Sequence, residues 1–357
     1  MRYDIELLAR ATGPLIRFAG EQTNDLPWRG DADPYHVWIS EIMLQQTRIA
    51  AVIPYYERFL SAFPTVKALA EADDDHLMKM WEGLGYYSRA RNLKKAAQII
   101  VQDHGGVLPS DPSVLRQLPG IGAYTAGAIA SISYGRAEPA VDGNVLRVVM
   151  RLLAEGDDVL KESTKREVAD ALRAVYPTGR EATLLTEGLM LLGERICVSS
   201  GEVRCDDCPL RTLCRARVGQ IVSLFPVRSQ KKPRRIEERT VLLLRIGHTF
   251  AVRKRPKTGL LADLYEFPSL DGSLSAEQVT EHLRSLGADP TDIRPCGTAR
   301  HVFSHVEWHM TGYEVTLTVP PSPTDLMFFT AEYIRDELAI PTAFRAFTEQ
   351  LPYTAQL

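Results

Sequence analysis

No window of the sequence approaches the roughly 18 uninterrupted apolar residues that a membrane helix needs. The opening stretch MRYDIELLAR carries Asp4 and Glu6 where an export signal would be apolar. A soluble chain that is not exported is therefore expected, with no membrane partner. Charge of one sign is missing too: 42 Lys+Arg against 45 Asp+Glu leave a net charge of −3. Global electrostatics does not single out a polyanionic partner, and any such case rests on local patches. Cysteine is scarce, five in 357 residues, which excludes a disulfide scaffold. Internal repeats and low-complexity tracts are absent, and strand-like alternation is rare from Asp4 to about Arg217.

What is present is an ordinary globular composition, 45% hydrophobic and 24% charged, in a chain long enough for about two domains. Up to Arg217 apolar residues recur at helical spacing, as in Trp38 and Ile42 or Leu146, Val149 and Leu153. Pro and Gly punctuate them, which predicts an all-α domain of many short helices over 1–224. The run FPVRSQKKPRRIEER then loses its period and concentrates Arg228, Lys231, Lys232, Arg234, Arg235 and Arg239. It reads as an exposed basic linker over 225–238. Over 239–357, RTVLLLRIG, TFAVRKR and HMTGYEVTLTV read as strands, while SAEQVTEHLRSLG and TAFRAFTEQL read as helices. A small α+β domain is expected there.

Four of the five cysteines cluster as Cys197-x7-Cys205-x2-Cys208-x5-Cys214. Four converging thiolates suit zinc or an iron–sulfur cluster. Zinc sites usually pair two Cys-x2-Cys knuckles, and only one is present, so the spacing favours a 4Fe-4S cluster. Arg204, Arg211, Arg215 and Arg217 are interleaved with the ligands, making a local basic patch suited to phosphate.

Residues 114–131, VLRQLPGIGAYTAGAIAS, read as helix, turn, helix. Gly120 and Gly122 permit close backbone approach, so N–H groups at the start of the second helix can face a phosphate with the helix dipole behind them. Such a contact carries no base sequence.

Together, WISEIMLQQTRIAAVIPYYERF, MWEGLGYYSRARNLKKAA, LPGIGAYTAGAIAS, VDGNVLRVVMRLL and the four cysteines resemble the MutY adenine DNA glycosylases of the helix-hairpin-helix superfamily. The likeness covers nearly the whole chain. It departs in the first cysteine gap, where VSSGEVR is one residue longer than the family's six. The resemblance implies a multi-domain protein. An all-α helix-hairpin-helix glycosylase domain with a 4Fe-4S loop is followed by a small α+β Nudix-like domain that faces oxidised guanine. It implies a monomer, cytoplasmic and nucleoid-associated, acting on double-stranded DNA with 8-oxoguanine:adenine or guanine:adenine mispairs.

Breaking an N-glycosidic bond needs acid assistance to the departing base and negative charge beside the developing sugar cation. By residue type alone Glu41 reads as a surface helix glutamate and Asp142 as an N-cap. The resemblance places both at catalytic positions. Apolar neighbours Trp38, Ile42 and Leu44 should raise Glu41, and the N-cap position should favour ionised Asp142. Asn144 matches the residue that orients the aspartate and a water. Tyr124 stands where the lyase-active endonuclease III branch has lysine, so a monofunctional glycosylase is implied, with Tyr124 packing near Asp142. Trp28, Arg29, Leu44 and Glu187 match the adenine pocket. Gln46 and Tyr86 match residues that enter the base stack once the adenine is flipped out. Phe303, Ser304 and His305 match the loop that tells oxidised guanine from guanine. No R-E-x-x-E-E helix follows Phe267, so nucleotide pyrophosphatase activity is not expected. An endonuclease III-like glycosylase/lyase and a catalytically silent lesion-binding protein are the alternatives.

Overall fold

The computed structural model describes residues 2–22, 26–230, 233–322 and 325–352. Contacts divide the chain into two compact units, 1–71 with 92–230, and 72–91 with 231–357.

The first unit is helical, and its described residues contain no strand. Its centre is the helix Gly143–Leu153, in which every residue from Val145 to Leu153 is buried. Asp142 caps its start and Ala154, left-handed at φ 54°, ends it. Helices Ile5–Gly20, Glu162–Arg173 and Arg180–Leu191 surround it in one apolar cluster. Each buried Leu or Val there contributes about 1.5–3 kcal/mol. Glycine lets the helices cross closely: a Cβ at Gly188 would lie 2.6 Å from the Leu15 carbonyl oxygen.

The expected helical hairpin is present in shortened form. A single turn, Pro112–Leu115, is capped by Asp111, and Ala123–Ala128 continues into a π turn, Ile129–Ser133. Gly120 is left-handed at φ 80°, and its Cβ would meet that of Asn92 at 2.8 Å. No L side chain fits there without displacing Asn92.

In the second unit the described residues form a seven-stranded sheet with helices around it. Its strands are β1 (Arg235–Ile246), β2 (Thr249–Lys254), β3 (Tyr265–Glu266), β4 (Ser269–Asp271), β5 (Pro290–Val302), β6 (Val306–Leu317) and β7 (Met327–Thr330). The order is β3-β2-β1-β6-β5, with β4 also on β1 and β7 on β2, and among the described residues only β1 and β6 run parallel. Alternation divides β1 between two cores. Val241 and Leu243 join Trp308, Met310 and Phe344, whereas Leu242 and Leu244 join Val279, Leu283 and Val315. The predicted helix in SAEQVTEHLRSLG is Ala276–Ser285, started by a Ser275/Gln278 capping box. TAFRAFTEQL forms a short 3-10 turn, Thr342–Phe344, and one further helical turn, Arg345–Thr348, rather than one helix.

The stretch read as a linker over 225–238 is not free along its length. Lys231 and Lys232 lie outside the described residues. Before them, the Phe225 and Val227 carbonyls accept from Arg151 Nε at 3.0 Å and the Val159 N–H at 3.1 Å. After them, Arg235–Glu238 pair in parallel register with Val306–His309. An edge-facing run of charges can form a strand when its other face is occupied, and here Glu237 accepts Trp308 Nε1 at 2.9 Å.

A cleft lined by Glu41 and Asp142

The helix Pro34–Leu44 starts at Asp33, which caps the Tyr35 N–H at 2.7 Å, and has Pro34 in its first turn. Residues Val37 to Met43 are all buried, so Glu41 is carried into the interior at 5% exposure. Its Oε2 has no hydrogen-bond partner. Burial pushes the carboxyl up to about 7, partly opposed by a hydrogen bond from the Tyr124 hydroxyl and assisted by the charge of Asp142. Tyr124 itself is held far above its ordinary range by burial and by the two carboxyls. The expectation that Tyr124 packs near Asp142 understates its contacts, because it bonds Glu41.

Asp142 reaches the same cleft because residues 139–140 press against the Ala123–Ala128 helix at Gly127, where a Cβ would lie 2.4 Å from the Pro139 carbonyl oxygen. Its Oδ1 accepts the N–H groups of Asn144 (2.9 Å) and Val145 (2.8 Å), and its Oδ2 accepts Asn144 Nδ2 at 2.8 Å. The capping predicted to favour the ionised form is therefore real, but it does not decide the titration. Burial is the largest influence and moves Asp142 above its ordinary value, against those donors and Arg147. Of two neighbouring carboxyls the one with donors ionises first, so Glu41 keeps the proton.

Arg147 was not anticipated. Only 3% exposed, it donates to Asn144 Oδ1 (2.9 Å), the Gly193 carbonyl (2.6 Å) and the Cys197 carbonyl (2.7 Å). Its sequence signal is a cation on the apolar stretch VLRVVMRLL, repeated one turn later at Arg151. Arg151 donates to Cys197 Sγ at 3.3 Å and to the Val198 carbonyl at 3.0 Å.

Glu41, Asp142, Asn144, Tyr124, Trp28, Arg29, Leu44, Gln46, Glu187 and Gly122 all line one cleft of about 1320 Å³. Trp28 is set edge-on to Tyr56 at 5.3 Å. Glu187 lies inside Arg180–Leu191, where burial raises its carboxyl against the charge of Arg29. Gly120 does not line the cleft, and supports the turn instead. Gln46 follows the end of its helix in a left-handed conformation, φ 57°, and is exposed.

Tyr86, Phe303, Ser304 and His305 belong to the second unit. Tyr86 is also left-handed, φ 48°, and 46% exposed, and its hydroxyl lies 2.9 Å from Ser304 Oγ. Ser304 and His305 are exposed at the tip between β5 and β6. Phe303 differs from them: half-buried between His301 (4.6 Å) and Trp308 (4.9 Å), it anchors the tip. Non-glycine residues in left-handed backbone are strained and gather at functional sites, and both expected wedges are among them.

Burial pushes the thiols of Cys205, Cys208 and Cys214 up, Cys208 to about 12, and each is raised further by other cysteines of the four. Thiols raised in this way need a cationic centre to become thiolates. Among the described residues no three His, Cys, Asp or Glu side chains are set to share one metal ion. A 4Fe-4S cluster takes four cysteine thiolates, the donor set that this loop supplies. Among the described residues no helix is long and apolar enough to cross a membrane.

Residues 39–176 match the family model of the HhH-GPD superfamily base excision DNA repair proteins, and 240–350 match the NUDIX domain. Human adenine DNA glycosylase is 32% identical over 421 aligned residues, covering 98% of this chain and 76% of the relative. That of Buchnera aphidicola subsp. Acyrthosiphon pisum is 34% identical, covering 80% of each. Among solved structures, a thermostable thymine-DNA glycosylase aligns at TM-score 0.52 and 24% identity, covering 60% of this chain and 98% of that one. An endonuclease III in a non-covalent DNA complex aligns at TM-score 0.52 and 24% identity, covering 61% and 98%. These two likenesses concern the fold alone.

Proposed function

This chain belongs to the adenine DNA glycosylases, base excision repair enzymes with an HhH-GPD helical domain and a Nudix-like domain, and we propose that it excises adenine opposite 8-oxoguanine or guanine without cutting the strand. The observation that carries this is the buried Glu41, protonated near neutrality, in one cleft with the N–H-cradled Asp142. With an adenine flipped into the cleft, Glu41 donates its proton to N7 as the C1′–N9 bond breaks and the bond pair leaves with the base. Asp142 stabilises the oxocarbenium ion, covalently or by charge, and Asn144 holds its Oδ2. Water then adds at C1′, and the proton it releases restores the carboxyl of Glu41. Tyr124 offers a phenol where a lyase needs an amine nucleophile, which supports release of an intact abasic site.

Trp28, Arg29, Leu44 and Glu187 are assigned to the adenine, Gln46 and Tyr86 to the base stack, and Gly120 and Gly122 to the backbone. Phe303, Ser304 and His305 are assigned to the opposite base, Ser304 and His305 by contact and Phe303 as their anchor. Cys197, Cys205, Cys208 and Cys214 would hold a 4Fe-4S cluster, whose charge would order the loop. The domains assigned are 1–224, 225–238 and 239–357, with residues 72–91 packing in the second unit. Single-turnover assays on duplexes with adenine opposite 8-oxoguanine, adenine opposite guanine, and 8-oxoguanine opposite cytosine test the reading. Adenine release from the first two, with strand breaks only after alkali, is expected. Breaks before alkali would replace it with a glycosylase/lyase, and lesion binding without base release with a silent reader.

A further inference from the structure

Residues 72–91 lie inside the matched helical family region, yet their contacts place them with 231–357. Four polar tethers hold them there. Asp75 takes Lys254 Nζ at 2.6 Å and the Tyr265 hydroxyl at 3.3 Å. Lys79 Nζ donates to the carbonyls of Arg335 (2.6 Å), in the last turn of the helix Ala331–Asp336, and of Leu338 (3.0 Å), just beyond it, where carbonyls lack intrahelical donors. Glu82 pairs with Lys79 at 2.7 Å and accepts the Ile340 N–H at 2.9 Å. Arg91 donates to the Ala262 carbonyl at 2.7 Å. Ala262 lies between Leu261 (φ 55°) and Asp263 (φ 63°), two left-handed residues that persist only where their surroundings hold them.

Between these tethers stands Tyr86. Arg89 fixes its turn by donating to the carbonyls of Leu84 (3.0 Å) and Gly85 (3.1 Å), with its guanidinium 5.7 Å from the Tyr86 ring. The Tyr86–Ser304 contact joins two exposed hydroxyls, and such a bond competes with water and cannot align its own partners. Lys79, Glu82 and Arg91 make half-buried charge-assisted bonds to backbone, and Asp75 adds a side-chain ion pair, so the tethers set the alignment.

We infer that residues 72–91 are a polar clasp, docked by Asp75, Lys79, Glu82 and Arg91, that seats Tyr86 on Ser304 and so sets the preference for the base opposite the excised adenine. This rests on the assignment of Tyr86 and Ser304 to that base. None of the four docking residues lines the cleft that holds Glu41 and Asp142.

The test uses the full chain with Lys79→Met, Lys79→Arg, Lys254→Met and Ser304→Ala. Single-turnover excision is followed on adenine opposite 8-oxoguanine and opposite guanine, with amide exchange at Ile340 as a report on docking. In Lys79→Met, Ile340 exchange should accelerate and the ratio of the two rates should fall at least fivefold, while the rate opposite guanine stays within twofold. Lys254→Met should lower the ratio in the same sense, and Lys79→Arg should keep most of it. A parallel fall on both duplexes, an unchanged ratio with accelerated exchange, or unchanged exchange would each overturn the clasp. Ser304→Ala separates the two ideas. If it lowers the ratio and the Lys79 and Lys254 variants do not, the clasp fails alone; if it leaves the ratio intact, the assignment of Ser304 fails.

Discussion

The cleft in the helical unit and the Tyr86–Ser304 contact of the second unit place the side chains proposed for function in opposite environments. Glu41 is 5% exposed and Tyr86 46%. Burial changes an acid's proton affinity by several orders of magnitude, which acid catalysis at neutral pH needs. Recognising a base still in the duplex needs side chains that stand in water until DNA replaces it. The cleft therefore stakes folding free energy on its chemistry, and the tip stakes very little.

Glu41→Gln presses hardest on that difference. Excision should fall by about 10³-fold or more, because a positioned general acid is worth roughly 10²–10⁴ and the amide cannot supply the proton. Its stability should move the other way. The folded-state value of about 7 lies above the unfolded value near 4.5, so native Glu41 holds a proton that the unfolded chain releases. That contribution is complete below pH 4.5 and is lost as pH rises through 7, amounting to about 3 kcal/mol at one pKa unit per 1.36 kcal/mol. Chemical denaturation at pH 5 and pH 8 should show a decline in the native chain that the variant lacks. Equal slopes would mean that Glu41 is not buried as an acid.

Next in size is Arg147→Met, which leaves two backbone carbonyls and Asn144 without their buried donor. Roughly 3–5 kcal/mol should be lost, with the midpoint of urea unfolding as the measure. Gly127→Ala should cost about 1–3 kcal/mol by overpacking and, by shifting residues 139–140 and hence Asp142, should slow excision more than binding. A variant with native rates would show that the Gly127 approach does not position the aspartate. At the tip, Ser304→Ala should leave the melting temperature within the error of a surface change, about 0.5 kcal/mol. Its effect should appear only in the choice between opposite bases. A large loss of stability there would erase the distinction between the two regions.

Much of this was legible along the chain because it depends on local spacing. Helical periodicity marked the apolar face of Gly143–Leu153, Pro and Gly marked the hairpin, and cysteine spacing marked the loop. Boundaries were less legible. The helix carrying Glu41 stops at Leu44, which frees Gln46 to turn left-handed, and Arg235–Glu238, at the end of the basic run, became strand because β6 offered partners. Arg147 could have been suspected as a cation on a buried face, but its acceptors come from Gly193 and Cys197, which no period connects to it.

By itself the sequence determined which residue types could do the chemistry: two carboxyls, an amide beside one of them, a phenol where an amine would cut, and four thiols. Tertiary structure decided what those groups are. Asp142 is an ordinary helix cap until Gly127 lets its segment approach Tyr124, and Glu41 is an ordinary glutamate until packing strips water from it. Tertiary contacts also group residues 72–91 with 231–357, although their sequence falls inside the helical family match. The reason is physical: propensity and periodicity act over a few residues, whereas desolvation and the interaction of buried charges depend on everything that folds around them.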